Sequence, residues 1–408
     1  MSLEFAEVLL NGKRTGKWLK VPISELSNHV LLVGGSGSGK SHFARAMLED
    51  VLALKIPTIV IDSQGDLLWL TRVNRGSSRQ TKRLIALKKR VFTPDYPDGY
   101  PFVISPALYT NTPENNRPLI RYWVRSILRA IGYEIRPGQT SPEDYQLEKT
   151  AEEILKRKAK LSLRTLFEEA KDKSAFWTIE NLAPIAPEEV KVLISRLGAL
   201  LGNEPRLYDG MPFHINDLAS SKKGGLWVIY LVPLPTETRQ LILNWVCEAI
   251  YQWMMNTTAN NSASPRLLLF IDEAADFVTE SNPLENRQAL FRLLNQGRKY
   301  GVSLMLAVQT PKGLPPEVSN NCKIKVFGAL DDPGDLNYVK YSTGLRRELD
   351  PLLSRSWNHA FVVRIPGKDA TFCKARDLLT RKGKPVAPRS ASMARILRFL
   401  KQFRPKQN

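Results

Sequence analysis

Gly34-Gly35-Ser36-Gly37-Ser38-Gly39-Lys40-Ser41 satisfies the spacing G-x-x-x-x-G-K-[ST]. It follows an apolar run, His29 to Val33, and opens a helical stretch, Ser41 to Leu52, so the pattern stands in the strand, loop, helix order that its chemistry needs. Glycines let successive backbone N–H groups wrap an anion, and the positive end of the following helix adds to the attraction. In that arrangement Lys40 reaches the β- and γ-phosphates of ATP and the Ser41 hydroxyl ligates Mg²⁺. Gly34, Gly35, Ser36, Gly37, Ser38, Gly39, Lys40, Ser41 and His42 are the candidate nucleotide cradle.

A second acidic pattern has the right company. Leu267 to Ile271 is a buried-strand run ending in Asp272-Glu273, where Asp272 would hold Mg²⁺ and Glu273 would polarise an attacking water. Read alone, the same residues are a core strand closing in an acidic turn; beside the glycine loop the catalytic reading is favoured. Val302 to Val308 is a further apolar run, and Gln309 at its end is placed to sense the γ-phosphate or orient the water. Arg298, just before that run, is a candidate arginine finger toward a neighbouring subunit's nucleotide; the plainer reading is a solvated helix end. Asp62 closes the run Ile56 to Ile61 and either supports the metal shell or caps the next turn. His29 reads as structural. His42, His214 and His359 have no mutual metal spacing, and Trp123, Trp177, Trp245 and Trp253 fall on helical periods as core residues.

These groups must be carried by a sheet. Apolar runs at His29 to Val33, Ile56 to Ile61, Leu226 to Val232, Leu267 to Ile271, Val302 to Val308, Ile324 to Ala329 and Ala360 to Ile365 alternate with helical stretches, which predicts an α/β fold with a mostly parallel central sheet covered on both faces. Turn-rich residues 1–27 read as a short N-terminal β segment, too small for an independent barrel. Residues 104–222 read as a helical insertion, with amphipathic periods at Pro118 to Ile131, Ser141 to Arg157, Ser162 to Ala170 and Pro187 to Leu201. Residues 28–103 and 223–376 form the expected core, and 377–408 an extended basic arm carrying a helix near 393–403.

The 408 residues carry 59 Lys and Arg against 40 Asp and Glu, a formal charge of +19, while 43% hydrophobic and 24% charged content is that of an ordinary globular chain. The surplus is confined. Arg72, Arg75, Arg79, Lys82, Arg83, Lys88, Lys89 and Arg90 stand without an acid between them, and residues 374–408 hold eleven bases against Asp377 alone. Such concentration points to a polyanionic partner, such as DNA, or to an acidic membrane face, with Arg72, Arg75, Arg79, Lys82 and Arg83 on a loop beside the sheet edge as the candidate contacts; the plainer reading is a solvated basic loop. Cys247, Cys322 and Cys373 show no zinc or redox spacing, no run is long enough for a membrane span, and the N-terminus lacks a signal pattern. A cytoplasmic, soluble chain is the expectation.

Together these stretches resemble the HerA/FtsK branch of P-loop ATPases, most closely the HerA-like DNA translocases. The resemblance rests on Gly34 to Ser41, Asp62-Ser63-Gln64-Gly65-Asp66, Phe270 to Ala274, Gly297-Arg298-Lys299-Tyr300-Gly301, Ala307-Val308-Gln309-Thr310-Pro311 and Asp331-Asp332-Pro333. It implies a RecA-like fold and a homo-oligomeric, hexameric ring that hydrolyses ATP between subunits and moves or unwinds double-stranded DNA. Lys40 and Ser41 would be the Walker A pair, Asp272 and Glu273 the Walker B pair, Gln309 the sensor and Arg298 the trans-acting finger. Relatives carry a larger N-terminal barrel than residues 1–27 provide, and Lys323 and Lys325 stand on a strand where an arginine is frequent. No nuclease constellation is visible, so cutting DNA would require a nuclease partner. Two rival readings use the same core: a conjugative-transfer or viral genome-packaging ATPase, and a non-processive ATP-binding regulatory or assembly subunit, against which Glu273 weighs.

Overall fold

The computed structural model describes residues 1–94, 99–104, 113–136, 138–157, 161–178, 183–203, 205–208, 213–221, 224–258, 264–278, 284–345, 349, 357 and 359–401. Its strands are β1 (Ser2–Leu3), β2 (Ala6–Leu10), β3 (Lys13–Trp18), β4 (Val21–Pro22), β5 (Val30–Val33), β6 (Thr58–Asp62), β7 (Lys88–Phe92), β8 (Gly225–Tyr230), β9 (Leu267–Ile271), β10 (Val302–Val308), β11 (Ile324–Phe327), β12 (Ala360–Arg364) and β13 (Thr371–Ala375). The helices are α1 (Lys40–Ala53), α2 (Arg79–Ala86), α3 (Pro113–Ala130), α4 (Pro142–Lys156), α5 (Leu163–Lys173), α6 (Pro187–Asn203), α7 (Pro205–Tyr208), α8 (Asn216–Ala219), α9 (Thr236–Met255), α10 (Ala275–Val278), α11 (Leu284–Tyr300), α12 (Pro316–Asn321), α13 (Pro333–Thr343) and α14 (Ala391–Lys401).

The chain divides into two compact units: residues 1–92, 216–244 and 257–408, and residues 93–215 with 245–256. The first holds an eleven-stranded sheet in the order β3-β2-β13-β12-β11-β5-β10-β9-β6-β8-β7. From β11 to β7 every neighbouring pair is parallel; β12, β13, β2 and β3 continue the sheet in antiparallel pairs. Every residue of β5, β6, β8, β9 and β10 is buried, which explains why these strands are unbroken apolar runs rather than alternating ones.

Two strands were not among the expected runs. β7 opens Lys88-Lys89-Arg90, so charge conceals a strand that pairs with β8, and residues 72–90, expected as a loop, are instead the helix α2 followed by the edge strand β7. β13 alternates Thr371-Phe372-Cys373-Lys374-Ala375 and is only partly buried. The N-terminal β2–β3 hairpin extends the main sheet by pairing Val8 with Cys373, because β13 would otherwise expose its backbone groups.

The second unit is helical among the described residues. Its helix starts follow from local chemistry: the Ser141 side chain accepts from Asp144 N–H with Pro142 at the first position of α4, and Ser162 and Thr165 form a reciprocal cap on α5. Trp123, Trp177, Trp245 and Trp253 are all buried. The end of the chain from 402 falls outside the described residues. Residues 377–401 do not extend freely. Thr380 bridges to Val73, Trp69 Nε1 donates to the Lys384 carbonyl at 2.8 Å, Tyr230 donates to the Val386 carbonyl at 2.6 Å, and α14 buries Met393, Ile396, Leu397 and Leu400.

Candidate active site

Sheet register assembles the site. Val33 of β5 pairs with Val308 of β10, and Leu306 pairs with Ile271 of β9, itself paired with Ile61 of β6. Parallel strands in register end together, so Gly34, Gln309, Asp272 and Asp62 emerge on one sheet edge although up to 275 positions separate them in sequence. The glycine loop is pinned there: Gly34 N–H donates to the Val308 carbonyl at 3.1 Å and Gly35 N–H to that of Ala329 at 2.9 Å. Gly39 caps α1 at φ +91°, and a Cβ on it would sit 2.7 Å from His359 Nδ1; one on Gly34 would sit 2.6 Å from Ser38 Oγ. Gly39 admits no side chain, its φ and the His359 ring both excluding one, whereas at Gly34 the Ser38 hydroxyl would have to turn away.

Glu273 is the hub. Its Oε2 accepts from Gln309 Nε2 at 3.0 Å and pairs with Lys40 Nζ at 3.4 Å, and it occupies the left-handed region at φ +52°. Backbone strain of this kind at a carboxylate persists only where surroundings impose it, and Ala274 N–H does so by donating to the Ala307 carbonyl at 2.7 Å. Gln309 is steadied by its neighbour Thr310, whose hydroxyl donates to Asp335 at 2.8 Å.

Asp272 is 5% exposed and Asp62 fully buried, and burial pushes both carboxyls up to about 7, each also repelled by nearby acids. Asp62 accepts from the N–H groups of Gly65, Leu67 and Leu68 at 2.6, 3.1 and 3.0 Å, so it caps the turn after β6. The donor set fits a nucleotide with a divalent cation. Ser38 Oγ is buried with no partner, the loop leads directly into α1, whose amino-terminal end favours negative charge, and a cation would relieve the repulsion at Asp272. Ser41 and Asp272 could hold Mg²⁺. No group of three His, Cys, Asp or Glu suited to a metal occurs among the described residues, so such a cation would draw other oxygens from phosphate and water.

Not every candidate joins this cluster. His42 Nε2 contacts the Arg376 carbonyl at 2.9 Å, turning the ring toward the C-terminal segment while its backbone stays in the first turn of α1. Arg298 is exposed near the start of β10, at the sheet edge opposite the chain's own Lys40. His29 is structural: Nδ1 accepts from Leu304 N–H at 3.1 Å, so Nε2 carries the proton and donates to the Leu294 carbonyl at 3.0 Å, and burial lowers its pKa to about 4. Of the candidate DNA contacts, Arg75, Arg79 and Lys82 are exposed, Arg83 donates to the Ala53 carbonyl at 3.0 Å, and the Arg72 guanidinium stacks 4.2 Å from the Phe399 ring centroid. Sequence reading missed His359, whose Nδ1 lies 3.3 Å from the Ser38 carbonyl. It also missed the buried cluster behind the loop, where Glu49 of α1 accepts from Arg376, Leu379 and Thr380. Neither has a local sequence signal, because each joins residues more than 300 positions apart.

A glycine loop between a parallel strand and a helix, with paired acids two strands away and a glutamine on the strand between them, defines a P-loop ATPase of RecA-like fold. Solved structures share it at low identity: the plasmid coupling protein TrwB in complex with a non-hydrolysable ATP analogue (TM-score 0.58, 14% identity, 95% of this chain and 97% of that one), and VirB4 of Thermoanaerobacter pseudethanolicus (TM-score 0.60, 17% identity, 92% and 96%). The family model for the central domain of helicase HerA matches residues 10–250, and the chain belongs to that family, within the HerA/FtsK-type P-loop ATPases. A probable helicase of Methanocaldococcus jannaschii is 19% identical over 320 residues, 78% of this chain and 56% of that protein. The DNA double-strand break repair helicase HerA of Sulfolobus acidocaldarius is 21% identical over 349 residues, 85% and 64%. The chain thus spans under two thirds of these curated relatives. Among the described residues no helix is long and apolar enough to cross a membrane.

Proposed function

We propose that this chain is an ATP-hydrolysing motor that forms a ring, hexameric by the family resemblance, and translocates or unwinds double-stranded DNA. The observation that carries the reading is Glu273, held by Lys40 and Gln309 at the mouth of the glycine loop. A nucleotide-binding switch has no need of a strained carboxylate there, whereas hydrolysis needs a base beside the γ-phosphate. When bound, Mg²⁺ neutralises charge developing on the phosphates. Lys40 would release Glu273 to engage the β- and γ-phosphates, freeing the carboxylate to orient water, with Gln309 fixing its direction. Arg298, exposed at the opposite edge, is available to a neighbouring subunit's nucleotide. Exposed Arg75, Arg79 and Lys82 supply sequence-independent contacts to phosphate, multiplied by each subunit of a ring. DNA cleavage would fall to a nuclease partner. The HerA relatives named as break-repair helicases and a TrwB structure holding ADP and Mg²⁺ support this reading.

The fold likeness to TrwB and VirB4 favours one second reading, a motor for conjugative transfer. Steady-state ATPase assays with and without duplex DNA, beside particle imaging, test the first. We expect stimulation by duplex, closed rings, and a loss of at least ~100-fold in turnover for Glu273→Gln with nucleotide binding kept. Activity indifferent to duplex, without rings, would sink it.

A further inference from the structure

The two basic segments of the sequence, 72–90 and the C-terminal residues from 374, come together in space. Arg381 N–H donates to the Arg72 carbonyl at 2.7 Å, beside the bridge between Val73 and Thr380. The Arg72 guanidinium lies over Phe399 of α14, and α14 packs on β7, the strand that carries Lys89. Lys89 is only 2% exposed, and among the described residues no acceptor or carboxylate partners its ammonium. The charge that acts on it is that of Arg72, which in turn is repelled by Arg381 and Arg395. Burial and Arg72 together lower Lys89 to about 8. Arg72 is half-buried, while Arg381 and Arg395 are exposed and form the rim of the cluster, their charges bearing on Arg72 and that of Arg72 on Lys89.

An ammonium on a nearly buried residue without a counter-charge is unfavourable, and the charge of Arg72 adds repulsion. An anion entering from the rim offsets both. Planar guanidinium forks with one point-charge ammonium match the several oxygens of a phosphate group. We infer that Arg72, Lys89, Arg381 and Arg395 form a phosphate-binding site distinct from the glycine loop. β7 lies five strand spacings from β5, roughly 24 Å at ~4.8 Å per strand. The site does not depend on the translocase reading; its phosphate is either one of a DNA backbone or a free phosphate, and the test separates them.

The full chain, its glycine loop saturated with Mg·ADP, is melted against inorganic phosphate at ionic strength held constant with chloride. The midpoint of the wild type should rise saturably. Lys89→Met should melt higher than wild type in chloride alone, because the uncompensated cation is gone, and should bind phosphate at least tenfold more weakly. Lys13→Met, an exposed cation on β3 at the other edge of the sheet, should keep the wild-type response. Arg381→Gln and Arg395→Gln, both at exposed positions, carry the same expectation of weakened binding should Lys89→Met fail to fold. In salt titrations with a short duplex, a slope of log K against log salt reduced by about one in Lys89→Met assigns the phosphate to DNA. An unchanged slope with the phosphate response lost assigns it to free phosphate. Absence of a saturable phosphate response in the wild type, or an equal response in Lys89→Met, overturns the site.

Discussion

Glu49→Ala is expected to unfold the ATPase unit far more readily than its position, remote from the Lys40–Glu273 pair, suggests. Glu49 is fully buried in α1, and its carboxylate accepts from Arg376 Nη1 at 2.7 Å, Leu379 N–H at 2.9 Å, Thr380 N–H at 2.7 Å and the Thr380 hydroxyl at 2.6 Å. Removing it leaves two donors of buried Thr380 unsatisfied, at about 1–3 kcal/mol each. Arg376 keeps Asp50 at 2.8 Å, so its guanidinium is not fully stranded. The total is about 3–5 kcal/mol, in the range for breaking a buried pair, and a fall in melting midpoint on the order of 10 °C. The exposed Lys382–Asp377 pair at 3.1 Å provides the contrast, since such pairs contribute under ~1 kcal/mol. Calorimetry of both variants checks the reasoning. A Glu49→Ala midpoint within 2 °C (roughly) of wild type would refute the claim that the C-terminal segment is anchored through α1.

Three further outcomes are expected. Gly39→Ala forces a side chain into φ +91° and against His359, so nucleotide affinity measured by calorimetric titration should fall about tenfold or more. Since His29 is lowered to about 4 from an unfolded value of 6.5, its neutral form's contribution is complete above pH 6.5 and is lost as pH falls through 4; the stability gap between wild type and His29→Gln in urea melts should shrink by up to about 3 kcal/mol across that window. Charge reversal at Arg79 and Lys82 together should weaken duplex binding and lower its salt slope by about two; an unchanged slope would make them ordinary solvated residues.

The candidate groups were legible in the sequence wherever their pattern is local. The loop Gly34 to Ser41, the strand closing in Asp272-Glu273 and the placement of Gln309 after an apolar run each declare themselves within about ten residues, because backbone wrapping of phosphate and burial of a two-faced strand are short-range demands. The alternation of such runs with helical stretches carried the α/β class as well. β7 escaped because its opening residues are Lys88-Lys89-Arg90, and its burial comes from α14, which the chain reaches some 300 residues later.

What the tertiary structure alone decided follows from pairing between distant segments. In-register parallel strands bring Gln309 onto Glu273 and Lys40 beside both. The N-terminal hairpin finds β13, Asp62 becomes a cap, and Glu49 ties α1 to Thr380. The two basic segments, separate in sequence, meet around a buried lysine. Residue types and spacing determine which groups can cradle phosphate or activate water. Whether a charge ends exposed, paired or buried without a partner is set by the neighbours that folding supplies, because desolvation and Coulomb energies depend on three-dimensional distance and not on position along the chain.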